Sequence, residues 1–133
     1  MKNPLEFTFA HTVARMLVDC MRVIHADAYA PKHIGATFEE MFVSFAVHIG
    51  TAEDRPMSAT KVAGFLSIPR TNVLRALAQL RKKGIIYSVG NVYLTNVDRL
   101  TKRITPTLIK KQIKTIAQAH AALAKLESSA LTD

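Results

Sequence analysis

The sequence predicts a mainly α-helical fold with one short β-hairpin, and three observations predict it. Apolar residues recur at spacings of three and four over several stretches. One segment rich in β-branched and aromatic residues, 85–95, is split by Gly90-Asn91, a two-residue turn signal. Just before it, two short helical patterns are separated only by Ser67-Ile68-Pro69. A chain of 133 residues suits a single domain, expected over 1–133. Apolar residues make up 49%, too many for a disordered chain.

The elements follow in order. Residues 5–29 read as a long helix with two apolar stripes: Ala10, Val13, Leu17, Cys20 and Ile24, then Phe9, Met16 and Val23. Covering both stripes asks for a second helix or a second chain. Residues 30–36, with Pro31 and Gly35, read as a loop. Thr37 and Glu40 form a capping-box pattern for a second helix, which Gly50 is expected to close. Residues 51–57 read as a polar connection. Ser58 is a good N-cap for a helix over 59–66, with Val62, Ala63 and Leu66 inward. Pro69 suits the start of the next helix, about 70–83, with Val73, Leu77 and Leu80 inward and Gly84 as the stop. Residues 97–104 read as a short helix. A last helix, 106–127, carries Ile109, Ile113, Ile116, His120 and Leu123 in heptad register, so 5–29 and 106–127 are expected to be dimerisation helices.

Charge is divided unevenly. Residues 1–54 hold four basic and seven acidic residues, net −3; residues 55–133 hold fourteen and three, net +11. The isoelectric point is about 9.9. A basic half points to a polyanion, nucleic acid before membrane. The single cysteine, Cys20, excludes an intrachain disulfide and fits a cytoplasmic location. No run of 18 apolar residues suggests a membrane span, and no signal peptide is read at the N-terminus. His11, His25, His33, His48 and His120 lack metal-ligand spacing, so neither a metal nor a cofactor is expected. No nucleophile–base pattern, P-loop or GxGxxG occurs, so no enzyme is expected.

Helix, turn, helix and hairpin over 58–95 make a winged helix-turn-helix unit. Its second helix would offer its N-terminal part to the DNA major groove, where arginine pairs with guanine and asparagine with adenine. Arg70, Thr71, Asn72 and Arg75 are the candidate base contacts. Arg81, Lys82 and Lys83 are candidates for phosphates or the flanking field. Ser58, Thr60, Lys61 and Pro69 complete the candidate surface, and Ser88, Asn91 and Tyr93 supply a wing that grazes phosphates.

The run from Lys61 to Leu77, followed by Leu80-Arg81-Lys82-Lys83-Gly84-Ile85-Ile86, resembles the winged helix-turn-helix of bacterial regulators of the multiple-antibiotic-resistance (MarR) type. The long first helix and the terminal helices have counterparts there. Two features depart from that family: Ser67 stands where a glycine is common, and the wing tip, Gly90-Asn91, carries no Lys or Arg. The resemblance implies a homodimeric, sequence-specific double-stranded DNA-binding transcriptional regulator, a repressor, with a small-molecule effector as a candidate partner. An apolar effector pocket would draw on Met16, Met21, Phe42 and Phe45, with ordinary core packing as the competing reading. The competing function is a winged-helix architectural or protein-interaction module without sequence-specific DNA binding.

Overall fold

The computed structural model describes residues 4–28 and 32–130. The helices are α1 (Leu5–Ala28), α2 (Ile34–Ala52), α3 (Ala59–Leu66), α4 (Arg70–Lys82), α5 (Val97–Arg103) and α6 (Pro106–Ala130). The strands are β1 (Met57–Ser58), β2 (Ile86–Val89) and β3 (Val92–Thr95). The chain divides into two compact units. One takes the two ends of the chain, up to Pro31 and from Ile104; the other is Lys32–Arg103.

In the first unit α1 packs on α6. The covered stripe of α6 is Leu108, Gln112, Thr115, Ala119, Leu123 and Leu126, and Ala119 is buried. Gln112 donates its side-chain amide to the Cys20 carbonyl at 3.2 Å. The stripe has leucines at both ends, with Gln112, Thr115 and buried Ala119 between them, where the small alanine permits close approach of the two helices. Of the expected heptad seam, Ile109, Ile113 and Ile116 stay open at 44%, 61% and 52% exposed, and His120 is exposed, while Leu123 is half-buried with the covered stripe.

The second unit has the apolar core. Val43, Ala46 and Val47 of α2 meet Met57, Ala59 and Val62, then Val73, Ala76, Leu77 and Leu80 of α4, and Ile86 of β2. The antiparallel sheet runs β1-β3-β2, with Met57 opposite Tyr93 and Ser58 opposite Val92. β1 was not expected: residues 51–57 read as a polar connection, yet their last residue enters the sheet. Thr51 of α2 ties into the sheet as well, its hydroxyl accepting from the Thr95 amide at 3.0 Å.

The boundaries of α2 correct the sequence reading. Pro31 lies outside the described residues, but Gly35 is helical and α2 begins at Ile34. His33 is the N-cap residue, so Thr37 is not a cap. It is buried inside the helix and its hydroxyl donates back to the Ile34 carbonyl at 3.4 Å. Nor does Gly50 close α2. The helix runs two residues further and ends with Asp54 in the left-handed position, φ 56°. Arg55 N donates to Gly50 O at 2.8 Å and Asp54 N to Thr51 O at 3.2 Å, the paired bonds of a Schellman end. Gly50 is there for space: a β-carbon on it would lie 2.8 Å from the Arg55 carbonyl oxygen.

Candidate nucleic-acid interface

The two helices of the motif are set by local chemistry at their ends. Ser58 has extended backbone, and its hydroxyl accepts from Lys61 N at 3.2 Å, capping α3. Thr60 and Lys61 are thereby exposed at the start of that helix. At its far end Ser67 takes the left-handed conformation, φ 57°, and Ile68 N donates to Ala63 O at 3.1 Å. The αL residue reverses the chain in one step, the role in which glycine is usual. Ile68 packs against the core, and exposed Pro69 leads into α4, its carbonyl accepting from Asn72 N and Val73 N.

Burial fixes the rotation of α4 about its axis. Val73, Ala76, Leu77 and Leu80 are buried. At roughly 100° per residue, the opposite stripe is Thr71, Arg75, Ala78 and Lys82, and all four are exposed. Gln79 is exposed beside it. The two other candidate base contacts lie on the flanks. Arg70 turns to α3, its Nε donating to the Thr60 hydroxyl at 3.1 Å. Asn72 turns to α2, its Nδ2 donating to Glu39 Oε2 at 3.1 Å.

The C-terminal end of α4 closes as expected at Gly84, φ 74°, with Ile85 N donating to Leu80 O and Gly84 N to Arg81 O, both at 3.0 Å. Arg81 and Lys82 are exposed. The ammonium of Lys83, a candidate for phosphates or the flanking field, pairs with Glu40 of α2. Arg99 of α5 adds a cation at this end: a β-carbon on Gly84 would lie 3.4 Å from its Nη1. No sequence spacing announces that neighbour.

In the wing, Gly90 has φ 61° and Val89 pairs with Val92, giving the two-residue turn expected. Asn91 is exposed at its tip. Ser88 lies opposite Tyr93, and Tyr93 packs against the core, so both face inward. The outward positions are Tyr87 and Val89, 49% and 58% exposed, opposite Leu94 and Val92. Strand alternation from buried Ile86 could have found them.

Elsewhere the chemistry is sparse. Among the described residues no three His, Cys, Asp or Glu side chains gather as a metal site would need. Cys20 is half-buried; desolvation, then the Asp19 carboxylate, pushes its thiol above the ordinary value. A cleft of about 190 Å³ between α1 and α6 is lined by His11, Arg15, Met16, Asp19, Thr115 and Ala119, among others. No helix among the described residues is long and apolar enough to cross a membrane.

A family model described as Crp-like helix-turn-helix domain matches residues 13–103, more than half of the chain. The match is not specific to the MarR type suggested by the sequence motif. No curated protein and no solved structure matches the chain. The matched region holds the two-helix motif, the wing and α5, and a domain of this kind implies a DNA-binding transcription regulator. The chain belongs to the family of Crp-like helix-turn-helix domains.

Proposed function

We propose that this regulator binds specific double-stranded DNA sites as a homodimer, acting as a cytoplasmic repressor of MarR-like build. The observation that supports it best is the outward stripe of α4. Thr71, Arg75, Ala78 and Lys82 project from a helix whose opposite face is locked in the core. Arg75 is the central reader, suited to a guanine edge, and Ala78 lets the helix sit deep in the groove. Arg81, Lys82 and Arg99 meet phosphates, as do Thr60 and Lys61 at the start of α3. Ser58 and Pro69 shape the surface through backbone geometry, and Asn91 is the wing's reach toward the backbone.

Dimerisation is supported by the open seam on α6 and by Phe7, Phe9, Leu17 and Val18 exposed on α1. Apolar surface of that extent on two packed helices is characteristic of an interface. Two copies would present two α4 helices to half-sites about one DNA turn apart.

A second reading, a winged-helix protein-interaction module, draws on the outer wing face. Tyr87 and Val89 are exposed there, and residues 86–95 contain no Lys or Arg. One experiment separates the two. Duplexes enriched from a random library by the protein are titrated against scrambled duplexes over a range of salt. Specific binding should persist, with Arg75→Ala costing about 1–3 kcal/mol on the enriched duplex only. Lys82→Ala should weaken both duplexes alike and reduce the salt slope by about one phosphate's share. Equal affinity for enriched and scrambled DNA would leave the interaction-module reading.

A further inference from the structure

Two adjacent carboxylates of α2 hold α4 at opposite ends. Glu39 accepts from Asn72 in the first turn, and Glu40 pairs with Lys83 just beyond the last. Asn72 and Lys83 are eleven residues apart, about three helical turns, so both lie on the flank of α4 that faces α2. Ala76, small and buried, lies between them on that side. The oxygen end of the Asn72 amide is engaged as well, accepting from the Thr71 hydroxyl at 3.4 Å.

An asparagine reads adenine with both ends of its amide at once, donating to N7 and accepting from N6. Here the amide is turned about a quarter of the way round the helix from the outward stripe, toward an anion. We infer that Glu39 is a latch on Asn72: it holds the amide off the DNA in the free protein, and exchanging Glu39 for an adenine edge is a specificity-determining step. The inference rests on reading Asn72 as a base contact.

The physical consequence is selective. A hydrogen bond to a carboxylate is among the stronger polar contacts a protein makes, so Asn72 leaves Glu39 only where the new contact offsets the loss. Only adenine at the matching position engages both ends of the amide. Other bases leave the latch closed and lose the contact. A purely structural role for the bond is a poor account of it, because Val73, Ala76, Leu77 and Leu80 already fix α4 in the core and Glu40 ties its end.

The test is a double-mutant cycle with wild type, Glu39→Ala, Asn72→Ala and the double variant. The probes are a duplex enriched by the wild type and copies in which each A·T pair is changed singly to G·C. Glu39→Ala should bind the enriched duplex about three- to ten-fold more tightly. Most of that gain should disappear in the Asn72→Ala background and on the one copy lacking the adenine that Asn72 reads. A gain of equal size on every duplex and in both backgrounds would show simple loss of a repelling charge and overturn the latch. So would weaker binding by a Glu39→Ala protein that melts like the wild type, which would make Glu39 a positioning residue. Should Glu39→Ala not fold, Glu39→Gln, which keeps the acceptor and loses the charge, should give a smaller gain with the same dependence on Asn72. If the wild type enriches no duplex, the DNA-reading assignment itself falls, an outcome distinct from a cycle without coupling.

Discussion

Alanine in place of Gly50 and alanine in place of Gly64 are the same change in the same kind of element, yet the surroundings give them opposite signs. Glycine-to-alanine in an exposed helix stabilises by about 0.8–1.0 kcal/mol, because alanine loses less backbone entropy. Gly64 lies exposed in α3, and a β-carbon there meets nothing within 4 Å, so the full gain is expected. Gly50 is buried in α2. A β-carbon there would stand 2.8 Å from the Arg55 carbonyl oxygen, 3.2 Å from Met57 Cγ and 3.4 Å from Met57 N. The nearest of these is backbone, held by the Arg55 N–H bond back to Gly50 O and by the pairing of Met57 with Tyr93. Relief therefore requires a shift of β1 itself. Overpacking of this kind costs about 1–3 kcal/mol. Set against the propensity gain, Gly50→Ala should destabilise by up to about 2 kcal/mol. Urea unfolding reads both, with a slope of about 1–3 kcal/mol per molar. The Gly64→Ala midpoint should rise and the Gly50→Ala midpoint should fall. Two midpoints rising together would refute the close approach of α2 to β1.

Three further outcomes are expected. Ser67→Gly should raise stability by about 0.5–1 kcal/mol, since the left-handed conformation strains any residue with a β-carbon; an unchanged or lower melting temperature would count against that conformation. Ile113→Glu, on the open seam of α6, should leave the melting of the monomer nearly unchanged but bring the mass by light scattering to 14.7 kDa; a dimer indifferent to it would place the interface elsewhere. Cys20 should resist alkylation at neutral pH and react only as the pH passes above the ordinary thiol range. The sign follows from the raised thiol: the folded chain holds the proton more tightly than the unfolded chain, so any stabilisation is complete below the unfolded value and is lost as pH climbs through the folded one.

Elements carrying their own punctuation were legible. Ser58, Pro69, Gly84 and Gly90-Asn91 each mark an end by a local requirement, and α3, α4 and the hairpin stand where those residues put them. The ends of α2 were not, because Gly35 and Gly50 read as breakers while one is a tolerated helical residue and the other makes room for a neighbouring strand. β1 escaped because two residues carry no periodicity and their partner strand lies more than thirty residues away. At the candidate interface, sequence order collected the first turn of α4 as one set. Burial separates it: Thr71 and Arg75 face out, Arg70 leans to Thr60, and Asn72 leans to Glu39. In the wing, Ser88 and Tyr93 face inward and Tyr87 and Val89 outward, which alternation counted from buried Ile86 gives directly. On α6 the heptad spacing marks the isoleucines, which stay exposed, while the covered face takes Leu108, Gln112, Thr115, Ala119, Leu123 and Leu126.

The division of the chain into a continuous unit and one assembled from both of its ends has a consequence for how the protein is made. On the ribosome α1 emerges first, but α6, the helix it packs on, is translated only after the whole of Lys32–Arg103. The continuous unit can complete its core while α1 waits with Val13, Met16, Val23 and Ile24, all half-buried in the finished fold, uncovered. Closing an unstructured loop of about 70 residues carries an entropy cost of about 4 kcal/mol beyond a constant. Once the intervening segment has folded, most of that cost has already been met, because the chain between α1 and α6 is no longer a free loop. Late assembly makes the terminal pair the last part to form and the first in which a nascent chain is exposed to aggregation or to a chaperone. Variants that slow folding of the central unit should therefore reduce yield through α1, a helix whose sequence they leave unchanged.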